Sequence, residues 1–86
     1  MSTSRKNLNP AAAGIVMTPG EMVRHLRELR EWSQRDLESE TGISQANISA
    51  IENGRVELGR IRAITLAEAL CVHPASIMFA DYEAAA

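Results

Sequence analysis

The chain has 86 residues, 45% of them hydrophobic and with only one each of Trp, Phe and Tyr, and a formal net charge of −2. That length holds one domain with an aliphatic core, which buries only about 60% of the surface of its unfolded chain and so gains from a partner. The single cysteine, Cys71, excludes an intramolecular disulfide framework and a cysteine metal cluster, and no apolar run approaches a membrane span or a signal peptide, so the cytoplasm is the expected location.

Residues 1–17 read as a flexible N-terminal arm, polar and basic from Met1 to Pro10, with Ile15-Val16-Met17 as a tether or a lead-in to the first helix. Five helices are expected between 18 and 82, followed by a disordered tail over 83–86. The first starts at Thr18, with Pro19 at its first position and Glu21 three residues after the cap. Val23, Leu26 and Arg30 share one face of it, with Arg27 at the edge. Ser33 caps the second helix, Asp36 stands at its third position, and Gly42 ends it in a left-handed conformation.

Only Ile43 and Ser44 separate the second helix from the third. Ser44 is the expected cap of that third helix, Ile48 and Ile51 its buried face, and Gly54 its stop. The fourth carries Ala63, Leu66, Ala67 and Leu70 at helical spacing, and His73-Pro74 breaks the chain and starts a last short helix through Ile77. No strand pattern is present, so the fold class is all-α, with five helices around one core.

The net charge conceals an uneven distribution. Positions 36–54 hold only acids (Asp36, Glu38, Glu40, Glu52), whereas Arg24, Arg27, Arg30 and Arg35 precede them and Arg55, Arg60 and Arg62 follow. A basic face is therefore compatible with a net negative chain, and binding to a polyanion needs only that face. Arg60 and Arg62 read equally well as phosphate contacts or as a solvated helix start.

The informative unit runs from Gln34 to Glu52: a capped helix, a glycine-ended turn, and a second capped helix with a small polar face. Packing through Leu37, Ile48 and Ile51 would hold the third helix at a fixed angle and leave its N-terminal residues free, which is the arrangement that enters a DNA major groove. Its outward residues are Gln45, Ala46, Asn47, Ser49, Ala50 and Asn53. A Gln or Asn amide can pair with adenine N6 and N7 together, and an alanine can meet a thymine methyl. The bland alternative is a helical hairpin with a solvated polar face.

The segment from Trp32-Ser33-Gln34-Arg35-Asp36-Leu37 through Thr41-Gly42-Ile43-Ser44-Gln45-Ala46-Asn47-Ile48-Ser49-Ala50-Ile51-Glu52-Asn53-Gly54-Arg55 resembles the helix-turn-helix family of the lambdoid phage repressors and Cro, over residues 18 to about 80. The family includes small bacterial regulators and antitoxins. The resemblance implies a lambda-repressor-like domain that binds a double-stranded DNA operator as a homodimer, with neither cofactor nor metal. It assigns base reading to Gln45, Ala46, Asn47 and Ala50, and the DNA backbone to Gln34 and Arg55; Arg35, Ser44, Ser49 and Asn53 are further candidate backbone contacts. Gln34 would also brace Gln45. Arg27 and Glu52 match a pair that forms an internal salt bridge. Position 38 is usually small in the family, where helices two and three approach closely. Glu38 departs from that, so it either turns outward or opens the packing slightly.

An enzyme is the weakest of the rival readings. His25, Cys71 and His73 show no base–nucleophile spacing; they read as a polar flank of helix one, a small buried hydrophobe and a cap before Pro74. Apolar residues left over once the core is assigned are Met22, Leu29, Ile61, Ile64, Met78, Phe79 and Tyr82. Of these, Ile61, Ile64, Met78, Phe79 and Tyr82 are the candidate dimer interface. The absence of a ligand domain favours an antitoxin-like autoregulator of its own operon, with a toxin as partner. A phage-type repressor and a protein-interaction module that no longer reads DNA are the alternatives.

Overall fold

The computed structural model describes residues 17–80. Five helices follow in order: α1 (Pro19–Leu29), α2 (Gln34–Thr41), α3 (Gln45–Glu52), α4 (Arg60–Leu70) and α5 (Pro74–Met78), with no strand among the described residues. The Ile15-Val16 part of the expected arm, Tyr82 and the tail over 83–86 lie outside the described residues.

Side-chain caps start every helix but α4, whose N-cap is Gly59. Thr18 Oγ1 accepts from the Glu21 amide at 3.1 Å, while the Glu21 carboxylate accepts from the Thr18 amide at 2.9 Å. Ser33 and Asp36 repeat this reciprocal cap on α2, at 3.0 and 2.8 Å. Each box satisfies amides that the first turn leaves without a partner. His73 caps α5 through Nδ1, which accepts from the Ala75 amide at 3.0 Å.

The helix ends show what a one-dimensional reading misses. Gly42 and Gly54 take the left-handed conformation, with φ of 80° and 74°. Glu31 (φ 60°) and Cys71 (φ 59°) do so as well, without the glycine that usually signals it. After α1 the Trp32 amide donates to the Arg27 carbonyl, and after α4 the Val72 amide donates to the Ala67 carbonyl. These reach-back bonds close the final turns and hold both residues left-handed, against a penalty of about 1–2 kcal/mol each. The turn at Cys71 carries its side chain outward, so the thiol is exposed rather than buried among Leu70 and Val72.

The core comprises Val23, Leu37, Ile48, Ile51, Ala63, Leu66, Ala67, Leu70, Ile77 and Ala80, drawn from all five helices and the residues just beyond α5. Leu26 and Met22 are half-buried against it, so Met22 belongs to the core rather than to the leftover surface. On α1 the buried side chains are Val23 and Arg27, one turn apart. Arg30, expected on that face, stands beyond the helix and is exposed. Its guanidinium lies 5.0 Å from the Trp32 ring centre and donates to the Leu70 carbonyl at 3.4 Å. The reversal matters, because it puts a positive charge inside the domain at position 27.

Candidate nucleic-acid interface

Helices α2 and α3 are joined by a turn whose every residue has a structural task. Thr41 Oγ1 donates back to the Leu37 carbonyl at 2.7 Å and accepts from the Ile43 amide at 3.1 Å. Gly42 reverses the chain, Ile43 tucks its side chain against the core, and Ser44 Oγ accepts from the Asn47 amide at 3.2 Å to start α3. Leu37, Ile48 and Ile51 lock the two helices together with at most 2% of each exposed. Glu38 is half-buried beside this contact. Because one face of α3 is committed to the core, the opposite face of its first turn has to point outward.

Gln45, Ala46 and Asn47 are exposed there, and Ser49 and Ala50, one turn later, are half-buried. No ionisable group lies among them, so this surface offers hydrogen bonds and methyl contacts without a bias toward charge. Positive charges stand on either side of it along the chain: Arg35 in the first turn of α2, Arg55 in the loop after α3, and Arg60 and Arg62 at the start of α4 are all exposed. Asn53 is exposed too, but its Nδ2 donates to the Ser49 carbonyl at 2.9 Å and to Ser49 Oγ at 3.3 Å. Its amide hydrogens are therefore spent inside the helix, while Ser49 Oγ, which only accepts there, keeps its own hydrogen to donate.

Beneath this surface lies a buried ion pair. Arg27 Nε donates to Glu52 Oε2 at 2.8 Å and Arg27 Nη2 to Glu52 Oε1 at 3.0 Å, a two-point contact with 8% and 6% of the residues exposed. Arg27 Nη1 donates to the Trp32 carbonyl at 2.8 Å. The hydrogen bonds to Glu52 raise the Arg27 pKa above its ordinary value, prevailing over burial, so the guanidinium stays charged at any working pH. Glu52 Oε1 also accepts from Gln34 Nε2 at 3.0 Å, and Gln34 Oε1 accepts from Gln45 Nε2 at 3.4 Å. One continuous relay thus joins α1, the end of α3, the start of α2 and the first residue of α3.

Gly20 escaped the sequence reading. Its Cα lies so close to the end of α3 that a β-carbon there would fall on the Ile51 carbonyl oxygen and come within 3.2 Å of Glu52 Cα. The available signal was a glycine inside a helix where no turn requires one, which usually marks close packing.

Elsewhere, His25 and His73 are exposed, and the described residues contain no group of three His, Cys, Asp or Glu side chains able to hold a metal ion. No helix among them is long and apolar enough to cross a membrane. Ile61 is 80% exposed, Phe79 58% and Ile64 40%, while Met78 is half-buried.

A helix-turn-helix domain family model matches residues 20–77. Among solved structures, the P22 c2 repressor protein in complex with a synthetic operator is similar, at 26% identity and a TM-score of 0.67, covering 72% of this chain and 94% of that one. The restriction-modification controller protein C.AhdI from Aeromonas hydrophila is similar at 25% identity and a TM-score of 0.66, covering 70% and 91%. The clp gene regulator ClgR from C. glutamicum shares the fold at 22% identity and a TM-score of 0.69, covering 79% and 88%. No curated protein matches the chain.

Proposed function

Because the chain belongs to the helix-turn-helix family of the lambdoid repressors and Cro, we propose that it represses transcription by seating α3 from each of two copies in the major groove of an operator. It is a DNA-binding transcriptional regulator and not an enzyme. The observation that carries the finer reading is the first turn of α3: exposed, uncharged, held at a fixed angle by buried aliphatics, and flanked along the chain by four exposed arginines.

In this reading Gln45, Ala46, Asn47 and Ala50 meet base edges. Gln34, Arg35, Ser44 and Arg55 hold phosphates, with the amides at the start of α2 adding their dipole. Asn53 contributes least, since its amide hydrogens already go to Ser49, whose hydroxyl hydrogen stays available for a phosphate. Phosphate contacts supply affinity without sequence information, and the neutral α3 surface supplies the discrimination. Gln45→Ala should therefore cost about 1–3 kcal/mol on the preferred duplex and relax preference at one base pair per half-site. Equal losses on preferred and shuffled duplexes, measured by fluorescence anisotropy, would assign Gln45 to the backbone instead.

Two recognition helices must sit about 34 Å apart, one helical turn of DNA, so the reading requires a symmetric dimer. Ile61, Ile64, Met78, Phe79 and Tyr82 form the surface proposed for it, with Phe79 near the centre. Phe79→Asp should sediment as a folded monomer and lose operator affinity far more than thermal stability. Dimers persisting in that variant would move the contact elsewhere, with Ile15-Val16-Met17 the next candidate. Acting in the cytoplasm on its own promoter, such a dimer would be an autoregulator. The narrower antitoxin role, with a toxin partner, rests on the family resemblance, and co-purification of a neighbouring gene product with the chain tests it.

A further inference from the structure

We propose that Asn53-Gly54, at the end of α3, is a site of spontaneous deamidation, gated by the last turn of that helix, which converts free protein to a form that binds DNA less well. The site itself follows from the local geometry. Only the loss of binding rests on the docking argued above.

Of the four asparagines in the chain, only Asn53 precedes a glycine. A glycine amide nitrogen has no neighbouring side chain to hinder its approach to a carboxamide carbon. The Gly54 nitrogen attacks Asn53 Cγ and a C–N bond forms. The Cγ–Nδ2 bond breaks, and the side-chain nitrogen leaves as ammonia with the proton that Gly54 gives up. One water then opens the five-membered succinimide. Attack at Cγ yields aspartate, and attack at the backbone carbonyl yields isoaspartate. No oxidant or reductant is involved, and the net change replaces an amide by a carboxylate.

The folded geometry opposes each part of that step. Asn53 is exposed, so water reaches it. Its φ of −93° and ψ of 4° turn the Gly54 nitrogen away from its own side chain. The Gly54 amide donates to the Ile51 carbonyl at 3.1 Å, so its proton is held. Asn53 Nδ2 donates to the Ser49 carbonyl at 2.9 Å and to Ser49 Oγ at 3.3 Å, which fixes the carboxamide back along the helix. The Arg55 amide closes the turn on the Ala50 carbonyl at 2.8 Å. All these bonds belong to one helix end, which opens far more often than the core does. Gly20 of α1 packs on the same Ile51 carbonyl, so the α1–α3 contact helps to hold the gate shut.

The product differs where DNA is met. A carboxylate at position 53 has no hydrogen for Ser49. It would face the Ser49 carbonyl at the negative end of α3 and stand beside the phosphate that Arg55 holds, and both repel it. Isoaspartate also lengthens the backbone by one carbon, which displaces the reach-back bond from Arg55. DNA seated across this loop keeps the turn closed, so bound protein is spared while free protein converts.

The test incubates the protein in mildly alkaline buffer and follows Asn53 by mass spectrometry of proteolytic peptides. Folded protein should convert, at a rate at least about tenfold below that of the same chain unfolded in guanidinium chloride, because three hydrogen bonds open first. Below the unfolding transition the rate should stay flat as guanidinium is added, since a local opening exposes little surface. Gly20→Ala should convert about threefold or more faster when folded, and at the unchanged rate when unfolded. Asn53→Asp, one product made in advance, should bind the selected duplex about tenfold more weakly and prefer the same sequence. Saturation with that duplex should slow conversion of the unchanged protein. Equal rates for folded and unfolded chains, a folded protein that does not convert, or a rate that climbs with guanidinium in step with global unfolding would overturn the gated site. Asn53→Asp that binds as tightly as the unchanged protein would overturn the loss of binding. A chain that selects no duplex would overturn the docking, and the peptide masses decide the site regardless.

Discussion

Arg27→Ala and Glu52→Ala should each lose about 3–5 kcal/mol of stability, because removing one partner strands the other charge in a site less than a tenth exposed. A chain of this length carries roughly 4–13 kcal/mol in total, so either variant should lose most of its margin and melt at least about 12 °C lower. The size of the loss reflects burial rather than a strong bond. Exchanging both residues at once for apolar ones of similar bulk, as in Arg27→Met with Glu52→Leu, should recover most of it, since neither desolvated charge then remains. Thermal and urea melts of the two single variants and the double variant check this. Single variants within about 1 kcal/mol of the unchanged protein would mean that water reaches the pair. By contrast, the exposed Arg24–Glu28 pair on α1, at 3.1 Å, should contribute almost nothing.

Gly20→Ala should destabilise the protein by about 2–3 kcal/mol, although glycine to alanine inside a helix ordinarily gains up to about 1 kcal/mol. The sign inverts because the added methyl meets the Ile51 carbonyl, a backbone group that cannot turn away as a side-chain end could. Helix α1 must then back off from the end of α3, where Glu52 receives Arg27 across the same contact. Gly59→Ala is the matched control. Gly59 has a φ of −74° and open space around its Cα but is the N-cap of α4, where glycine is preferred to alanine, so that change should cost less than about 1 kcal/mol. Equal melts for Gly20→Ala and Gly59→Ala would show that α1 and α3 do not approach as closely as described.

Features that depend on neighbours along the chain could be read from the sequence. The caps at Thr18, Ser33 and Ser44, the left-handed Gly42, and the Ala63–Leu66–Ala67–Leu70 face each need only a few adjacent residues, and all stand in the structure. Features set by elements distant in sequence have no local signal, and the Arg27–Glu52 pair and the Gln34–Gln45 contact were legible only through the family resemblance. Helical periodicity puts Arg27 at the edge of α1 and Arg30 on its inner face. The reverse holds because the carboxylate that draws Arg27 inward is 25 residues away. Glu31 and Cys71 take a glycine's conformation because reach-back hydrogen bonds hold them there, and no residue type announces it. At the candidate interface, Gln45, Ala46 and Asn47 are exposed where the polar pattern puts them. The Glu52–Gln34 contact beneath them had no local signal, since its two residues are 18 apart.

The proposed activity is recognition of a particular DNA sequence by two copies of this chain through α3. Its most direct test is the salt dependence of binding to a duplex selected from a random pool, titrated beside a shuffled version of the same duplex. The selected sequence should be two-fold symmetric, with half-site centres about 10 base pairs apart. It should bind at least about 10³-fold tighter than the shuffled duplex, and its affinity should fall steeply with salt as arginine-bound phosphates regain their counterions. A pool that yields no sequence better than the shuffled control, or an affinity indifferent to salt, would contradict it.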